Sequence, residues 1–479
     1  MNDLPMPPVT KPALNSEMLL SKIEVFPQKK VKDLYADELL KYRSFIEVDS
    51  SANYISSDSL LKVIRERDGR YFVHYAVEPN RLSIGSSGGK FFVRLEVFGK
   101  ISDSENKAVY QFQKDVSLNF TPEQVTEMKA KRFSFQDAFA LIDGRYKFDL
   151  LIKNPVSKEF TSFESEVVIP RSDSRSAVSP LLLSAGARRE TGPSSNLRPF
   201  RMGDIQVYPV ANRAFTKSDQ LFISFTVDRL PQSLRETGSL EFSFFLDDKK
   251  VHFSKKALKD FGNSGDCFEG FSLAGLDPGL YTVVVSLLDQ DHKEVSSSKE
   301  DFSISTQRAL PAVWSVSEVI PPLDDPYYSY VLGMQDLNCG RLSEAKALLE
   351  EAYHGRPASL DFALGLGQVY LRSAAYQRVQ DILTRFLERA NEQPQVYELL
   401  GRCSFLQSEH GRAIYYFKKY LAHFGTKLEI LNMLAECFFQ TGDLEEAKAA
   451  WKKSLEMEPR QEQIRKKLDA VERRSSTPV

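Results

Sequence analysis

The sequence predicts a multidomain protein in which two tandem all-β sandwiches precede an all-α solenoid. Three observations support this fold class. The chain has 479 residues, more than a single hydrophobic core usually serves. Apolar and polar residues alternate with period two across much of 71–169 and again across 204–305, which is typical of strands. From Pro326 onward the sequence repeats every 34 residues, which is typical of stacked helical units.

The composition narrows the classes of function. Lys and Arg total 63 and Asp and Glu total 65, so the formal net charge is −2. A chain with this balance has no general attraction for nucleic acid or for an anionic membrane surface. No apolar run reaches the ~18 residues of a membrane-spanning helix. We therefore expect neither a nucleic-acid partner nor a membrane span.

The spacing of the cysteines gives no indication of a metal site or a disulfide framework. The four cysteines lie far apart without CxxC spacing, so we expect small buried side chains and no metal cage or disulfide framework. They are Cys267, Cys339, Cys403 and Cys437.

The N-terminus has no basic segment followed by an apolar run, and no secretory signal is predicted. This favours a cytoplasmic location, whereas a start codon further upstream would leave the cell envelope or periplasm open.

The first 40 residues differ from the rest of the chain. Residues 1–40 begin proline-rich and are predicted to form a partly disordered N-terminal arm, in which 22–28 has the pattern of a docking strand. The first β-sandwich is predicted over 41–170. Near its start, Asp68-Gly69 is a strong turn pair and predicts a β-hairpin within 59–78.

Further strands of the first sandwich are predicted at 91–101, 109–120 and 144–152, where the residues alternate between turn clusters. One helix interrupts them at 121–132. Thr121 suits the N-cap and the proline that follows it suits the first helical position.

The second β-sandwich is predicted over 201–306. A linker rich in Ser, Arg and Pro precedes it over 171–200, and another linker follows it over 307–325. Its predicted strands are 205–210, 221–227, 240–247 and 280–288.

The two sandwich regions align with each other. Residues 143–169 match 278–304 at a constant offset of 135 without a gap, so that Tyr146 falls on Tyr281. Each copy contains a glycine turn, a strand, a polar turn and a closing strand in the same order. The equal lengths predict tandem domains of the immunoglobulin-like or fibronectin-like type.

Two columns set the register of the helical repeat. A small residue recurs at Gly333, Gly367, Gly401 and Ala435, and a large apolar residue recurs at Leu349, Leu383, Phe417 and Trp451. Each unit also has two stretches with apolar residues at i, i+3, i+4 and i+7, which predict two amphipathic helices. The small residue lets the two helices approach where they cross. Gly340 and Gly442 permit the turn between the helices in the first and fourth units, and the second unit lacks such a glycine.

The 34-residue period, with Leu-Gly early, Ala in the middle and Pro late, resembles the tetratricopeptide repeat. The four units and their capping helix are predicted over 326–474. The units are 326–359, 360–393, 394–427 and 428–460, and the charged cap is 461–474.

The resemblance implies a concave groove, lined by the first helix of each unit, that captures a peptide or a partner domain. The residues that it places in the groove are Tyr327, Tyr330, Met334, Leu364, Gln368, Glu398, Arg402, Asn432 and Glu436. This mixture does not resemble the Lys- and Asn-rich clamp for a C-terminal carboxylate, so the sequence does not identify the partner.

A second resemblance begins at 199–227 and includes the two matching hairpins. This region is similar to the β-sandwich tails of two groups of bacterial proteins, those with the GWxTD domain and the von Willebrand-A-related group. The GWxTD pentapeptide and a metal-dependent adhesion motif are absent from the sequence. The resemblance implies an accessory or structural role and supplies no active site.

Two segments approach catalytic motifs without completing them. The glycine-rich segment 83–92 lacks the first glycine and the final Ser or Thr of a phosphate-binding loop. The segment 262–266, around Ser264, lacks the second glycine of the G-x-S-x-G nucleophile motif. The six histidines are scattered without metal-ligand spacing. The sequence therefore predicts no enzyme, no catalytic residue, no cofactor and no metal.

The leading hypothesis is a non-catalytic scaffold for protein–protein interaction. The repeat groove would capture a protein or peptide partner, and the sandwiches would act as spacers or docking modules. Two alternatives stay open. One is a structural component of a bacterial cell-envelope or secretion assembly, and the other is the remnant of a longer enzyme-like parent. The oligomeric state is not predicted.

Overall fold

The chain forms two compact units, Met1–Asp324 and Asp325–Val479. The first is rich in strands and the second is helical. The computed structural model describes residues 53–88, 90–129, 131–171, 177–189, 198–261, 265–306, 313–317, 320–389 and 393–475. The predicted arm 1–40 with its docking strand lies outside the described residues, and so does Ser264.

The strands of the first unit follow one another with few helices between them. They are β1 (Ser57–Arg65), β2 (Tyr71–Pro79), β3 (Gly85–Ser87), β4 (Lys90–Ser102), β5 (Ala108–Phe120), β6 (Arg132–Ala140), β7 (Gly144–Asn154), β8 (Glu159–Ile169), β9 (Ala177–Val178), β10 (Leu182–Arg189), β11 (Arg201–Met202), β12 (Ile205–Pro209), β13 (Ala214–Thr216), β14 (Gln220–Asp228), β15 (Ser239–Leu246), β16 (Lys249–Ala257), β17 (Asp266–Ser272), β18 (Gly279–Leu288), β19 (Glu294–Ser305) and β20 (Val313–Ser317). Two short helices, α1 (Pro122–Lys129) and α2 (Gln232–Thr237), and a 3-10 turn at Leu258–Phe261 interrupt them.

The first half of this unit contains two sheets. One has the order β1-β2-β6-β20, and the other has the order β3-β4-β7-β8 with β5 paired to β4. The ring of Tyr75 on β2 lies 5.4 Å from the ring of Phe148 on β7 and 6.3 Å from the rings of Phe135 and Phe139 on β6. These aromatic contacts join the two sheets into one buried core.

Two local predictions in this half are confirmed. β1 and β2 form the antiparallel hairpin across Asp68-Gly69, where Gly69 has φ of 90° and Asp68 Oδ1 accepts the N–H of Arg70 at 2.9 Å. The helix after β5 begins as expected. Thr121 Oγ1 accepts the N–H of Gln124 at 3.3 Å, and the Gln124 side chain accepts the N–H of Thr121 at 2.9 Å. This reciprocal pair is a capping box.

The second half contains two further sheets. One has the order β11-β12-β10-β14-β17 with β9 paired to β14, and the other has the order β13-β19-β18-β15-β16. Their shared core is aromatic. The rings of Phe225 on β14 and Phe242 on β15 are 6.0 Å apart, and those of Phe244 and Phe302 are 6.2 Å apart.

Parts of both predicted linkers form strands. Segment 171–200 contributes β9 and β10, and segment 307–325 contributes β20, which pairs in parallel with β6. The physical reason in the first case is the apolar run Leu181–Leu183, which is buried in the adjacent cores and therefore does not behave as a solvated connection. The Ser and Pro content of these segments concealed that run.

One apolar cluster joins the two halves of the unit. Leu60, Ile64 and Ala76 of the first hairpin pack against a set from the second half. That set is Leu182, Phe200, Met202, Val207 and Ala211. Beside the cluster, the carboxylate of Glu300 on β19 accepts from Lys62 on β1 and from Arg213 at 2.6 Å. The two halves are therefore packed against each other within this unit.

The second unit is an array of helices in antiparallel pairs. They are α3 (Tyr327–Cys339), α4 (Leu342–Gly355), α5 (Leu360–Arg372), α6 (Tyr376–Leu383), α7 (Pro394–Leu406), α8 (His410–Phe424), α9 (Leu428–Thr441), α10 (Leu444–Met457) and α11 (Glu462–Ser475), with a 3-10 segment at Thr384–Arg389. The predicted cap coincides with α11, whose Leu468 and Val471 are buried.

The predicted crossing of a small and a large residue is confirmed. A methyl group on Gly401 would lie 2.5 Å from Cε1 of Phe417, and one on Gly333 would lie 2.7 Å from Cγ of Leu349. Both distances are too short for van der Waals contact, so these positions require glycine. In the fourth unit Ala435 takes the small position, and Trp451 is buried in the same core cluster.

The turn between paired helices has one backbone conformation in all four units. Gly340, Ala374, Ser408 and Gly442 are spaced by 34 residues and have φ of 79°, 54°, 60° and 90°. The glycine turn predicted for the first and fourth units is confirmed. The second and third units place residues with a Cβ in the same left-handed region, which costs roughly 1–2 kcal/mol each.

The two non-glycine turns generate a stability prediction. We expect Ala374→Gly to stabilise the helical unit by about 1 kcal/mol, because glycine removes the left-handed strain. Gly340→Ala is the matched reverse change and should destabilise it by a similar amount. Urea unfolding followed by circular dichroism measures both. Equal stability of the wild type and both variants would contradict the shared turn.

The helix crossings generate a second prediction. Gly401→Ala should destabilise the array by about 1–3 kcal/mol, because the new methyl group overlaps the Phe417 ring. Gly411 on α8 is the control, since it is exposed with no atom within 4 Å of an added Cβ. Gly411→Ala should stabilise by about 0.5–1 kcal/mol. Thermal unfolding measures whether the two variants change the stability of the array in opposite directions. If both variants stabilised or both destabilised it, the predicted crossing would be misplaced.

Candidate partner-binding groove

The nine residues predicted to line the groove all lie on the first helix of a pair, one set on each of α3, α5, α7 and α9. The structure divides them into two ends with different chemistry. The apolar end consists of Tyr327, Tyr330, Met334, Leu364 and Gln368, and the charged end consists of Glu398, Arg402, Asn432 and Glu436.

At the apolar end, aromatic rings stack between neighbouring units. Tyr330 lies on Phe362 of α5 with ring centroids 4.8 Å apart and ring planes at 24°. Gly365 allows this approach, because a methyl group there would be 3.0 Å from both Tyr330 Cε2 and Met334 Sδ. Tyr330 and Met334 are half-buried, whereas Leu364 is only 7% exposed and offers a partner little surface. The apolar end is thus a half-exposed aromatic surface with a rigid base.

The charged end is occupied by ion pairs within α7 and between α7 and the start of α9. The carboxylate of Glu398 lies 2.7 and 2.8 Å from Nζ of Lys427 and accepts from Nε of Arg402 at 3.0 Å. Arg402 Nη2 also donates to Glu429 at 2.6 Å. Burial opposes the charge on Arg402, but Glu429 and Glu398 outweigh it and raise the pKa of Arg402 above its ordinary value.

In the fourth unit the groove residues contact the cap. Asn432 donates to Oε1 of Gln461 at 2.7 Å and accepts from the Ser454 hydroxyl at 2.6 Å. Glu436 accepts from Lys467 at 2.5 Å. Burial raises the pKa of Glu436, but the hydrogen bonds from Lys467 and Gln440, together with nearby positive charge, outweigh burial and lower the pKa below its ordinary value. These hydrogen bonds connect the capping segment and α11 to the fourth unit.

The sequence prediction missed the partners of the groove residues. Each partner lies about one unit further along the chain, at Lys427, Glu429, Gln461 or Lys467. A signal for two of them was present, because Glu398–Lys427 and Asn432–Gln461 have the same separation of 29 residues. The polar residues that the sequence predicts on the binding surface therefore include side chains that also contact the next unit or the cap.

The buried cysteines have the properties of packing side chains. Burial raises the pKa of Cys267 and of Cys437 to about 12 and that of Cys403 to about 11. Their thiols stay protonated near neutral pH and are poor nucleophiles. In the part of the chain that the structure describes, no cluster of His, Cys, Asp or Glu is arranged to hold a metal ion. Within the same residues, no helix is both long and apolar enough to cross a membrane.

The ion pairs generate a prediction with a matched control. Glu398→Gln should destabilise the array by about 1 kcal/mol, because it leaves Lys427 and Arg402 without their shared carboxylate. Glu445→Gln makes the same change at an 86% exposed residue that pairs within its own helix, and should have no measurable effect. Hydrogen exchange should increase in α7 and α9 for Glu398→Gln alone. Unchanged exchange there would show that the pairs contribute nothing to stacking.

A family model of the tetratricopeptide repeat matches residues 340–403 and 405–469. No curated protein matches the sequence. The resemblance of the strand-rich region to the GWxTD and von Willebrand-A-related tails therefore stays a prediction.

Solved structures of MamA proteins are similar to the helical unit. MamA AMB-1 is 23% identical, covers 31% of this chain and 82% of its own, and has a TM-score of 0.30. MamA MSR-1 is 21% identical, covers 31% and 86%, and has a TM-score of 0.29. A MamA RS-1 double mutant is 15% identical, covers 32% and 86%, and has a TM-score of 0.30.

The matched residues extend from the turn at Gly340 to the cap, and they coincide with the helix pairs whose crossings and turns recur at 34 residues. The C-terminal unit of this chain is therefore a tetratricopeptide repeat array.

Proposed function

We propose that this protein is a non-catalytic scaffold whose repeat groove captures a segment of a partner protein. Tetratricopeptide arrays bind protein partners on the face formed by their first helices. The observation that carries the proposal is the half-exposed surface of two tyrosines and a methionine, Tyr327, Tyr330 and Met334, at one end of that face. Aromatic side chains on a rigid base are the residues that most often dominate binding energy at interfaces.

The two ends of the groove favour a particular kind of partner segment. Glu398, Arg402, Asn432 and Glu436 already have partners within the array. A ligand that displaced these partners would have to replace hydrogen bonds that already exist, with little net gain. Binding energy is therefore assigned to the apolar end, and the preferred segment carries a large apolar or aromatic side chain that covers Tyr330.

The strand-rich unit is proposed to be a pair of immunoglobulin-like or fibronectin-like sandwiches, 41–170 and 201–306, that act as a spacer or docking module. Two features support this. The hairpins β7-β8 and β18-β19 have equivalent pairing up to a register shift between Leu287 and Leu288, with Gly144 opposite Ile169 and Gly279 opposite Ile304. In each copy a tyrosine at the start of the first strand donates to a backbone carbonyl a few residues upstream, as in the tyrosine corner of such domains. The donors are Tyr146, to Asp143 O at 2.8 Å, and Tyr281, to Asp277 O at 2.7 Å.

The groove is tested with peptides selected from a random display library on the full chain. A selected peptide should bind the wild type. Tyr330→Ala should raise the Kd of this peptide about 30-fold, which is the effect of losing a hot spot of about 2 kcal/mol. Tyr327→Ala should also raise the Kd of the peptide. Isothermal titration calorimetry measures each Kd, and circular dichroism verifies that the variants keep their helical content.

Tyr415→Ala is the matched control, because Tyr415 is 55% exposed on a second helix of the array. It makes the same change outside the groove and should leave the Kd unaltered. If a folded Tyr330→Ala protein bound the peptide as well as the wild type did, the binding surface would not be the groove. If Tyr415→Ala weakened binding instead, the opposite face of the array would be the binding surface.

A further inference from the structure

The strand-rich unit contains a cavity of about 350 Å³ that the sequence did not predict. Five separate segments form its wall. They are the β1–β2 hairpin, the turn between β11 and β12, the end of β14, α2 and the beginning of β17. Ligand sites in proteins commonly have volumes of about 300–1,000 Å³, so the cavity is large enough for a small molecule.

Arginine dominates the charge of this wall. The arginines are Arg65, Arg67, Arg201, Arg229 and Arg235, and the carboxylates are Glu66, Asp228 and Asp266. Positive groups exceed negative ones by two. Arg67 donates to Asp266 at 2.7 Å, which accounts for one pair. A concave wall with this excess concentrates positive potential and favours an anion.

Arg229 in the wall of the cavity has a backbone conformation that is unusual for a residue with a Cβ. Arg229 has φ of 50°, which costs a residue with a Cβ roughly 1–2 kcal/mol. Gly203 has φ of 58°, and a methyl group there would lie 2.6 Å from Oδ2 of Asp266 and 3.0 Å from Nη2 of Arg67. Backbone strain of this kind concentrates at binding sites, because the surrounding structure must impose it.

Two residues of the wall, at the end of β1, each have one polar side-chain atom that is shielded from solvent. Among the described residues, Nε of Arg65 and Oε1 of Glu66 have no hydrogen-bond partner, and Oε1 of Glu66 faces the buried Nε2 of His74 at 3.8 Å. A buried polar atom without a partner costs about 1–3 kcal/mol. Because both atoms are shielded, an oxygen-bearing anion in the cavity would accept from other guanidinium N–H groups of the wall.

We propose that this cavity is a binding site for a small oxyanion, a phosphate or carboxylate group carried by a small molecule. The planar guanidinium group matches the paired oxygens of both groups and forms two parallel hydrogen bonds to them. The site lies in the strand-rich unit and is independent of the proposed peptide groove.

The protonation state of Glu66 makes the affinity of the cavity for an anion depend on pH. Burial, followed by the negative charges of Asp68 and Asp266, raises the pKa of Glu66 to about 7, while Arg67 has the opposite and smaller effect. From β2, His74 faces the same carboxyl with Nε2 3.8 Å from Oε1, and burial lowers the pKa of His74 to about 3, so it is neutral near pH 7. Below pH 7 Glu66 takes up a proton, and the repulsion between its carboxylate and a bound anion disappears.

The test is isothermal titration calorimetry of the full chain with phosphate, succinate and sulfate, at an ionic strength matched with sodium chloride. We expect at least one of these anions to bind. Tighter binding of phosphate than of succinate would identify a phosphate-bearing ligand, and the reverse would identify a carboxylate. Arg65→Gln and Arg235→Gln should each raise the Kd about tenfold, because each removes one charge-assisted hydrogen bond. Arg94→Gln, at an exposed arginine of β4 outside the cavity, should leave the Kd unchanged.

Sulfate keeps its charge between pH 6 and 8, so its Kd reports the protein alone. Sulfate should bind more tightly at pH 6 than at pH 8, and Glu66→Gln should remove that difference. The proposal is overturned if none of the three anions binds beyond the sodium chloride control. It is also overturned if Arg65→Gln and Arg235→Gln, both folded by circular dichroism, bind as well as the wild type.

Discussion

The close crossing of two helices within each repeat is the contact on which the rest of the helical unit depends. A small side chain on the first helix lies under a large apolar one on the second, as at Gly401 under Phe417. Removing a buried ring of this kind costs about 3–5 kcal/mol, far more than any single ion pair in the groove. The crossing orients the first helix, so that one of its faces meets the next unit and another carries the residues of the proposed groove.

In the proposed function, the residues of the groove have two roles. At Glu398 and Arg402 the polar side chains connect one unit to the next, which stabilises the stack and leaves them committed to each other. At Tyr330 the contact with Phe362 is aromatic stacking, which orders the ring and keeps part of its surface exposed. A rigid, partly exposed ring loses little conformational entropy when a partner covers it, and for this reason the proposal places binding at this end.

Much of the helical unit was predictable, because its signals are local and repeat. The crossing glycines and the turns at Gly340 and Gly442 follow from residue size and backbone freedom. The left-handed turns at Ala374 and Ser408 were not predictable in this way, since neither residue prefers that region and tertiary packing imposes it. Likewise, the strands inside the predicted linkers depend on burial against distant segments. The arginine cavity has no sequence signature, because its wall comes from five segments that only the folded sheets bring together.

The central claim is that the aromatic end of the repeat groove is the surface that captures a partner. Hydrogen exchange of the full chain, with and without a saturating selected peptide, tests it most directly, because the measurement locates the protected residues without altering the protein. The account predicts that protection increases in α3 and α5, around Tyr330 and Phe362, and that it changes little in the strand-rich unit. Protection confined to the strand-rich unit, with α3 and α5 unchanged, would contradict the claim.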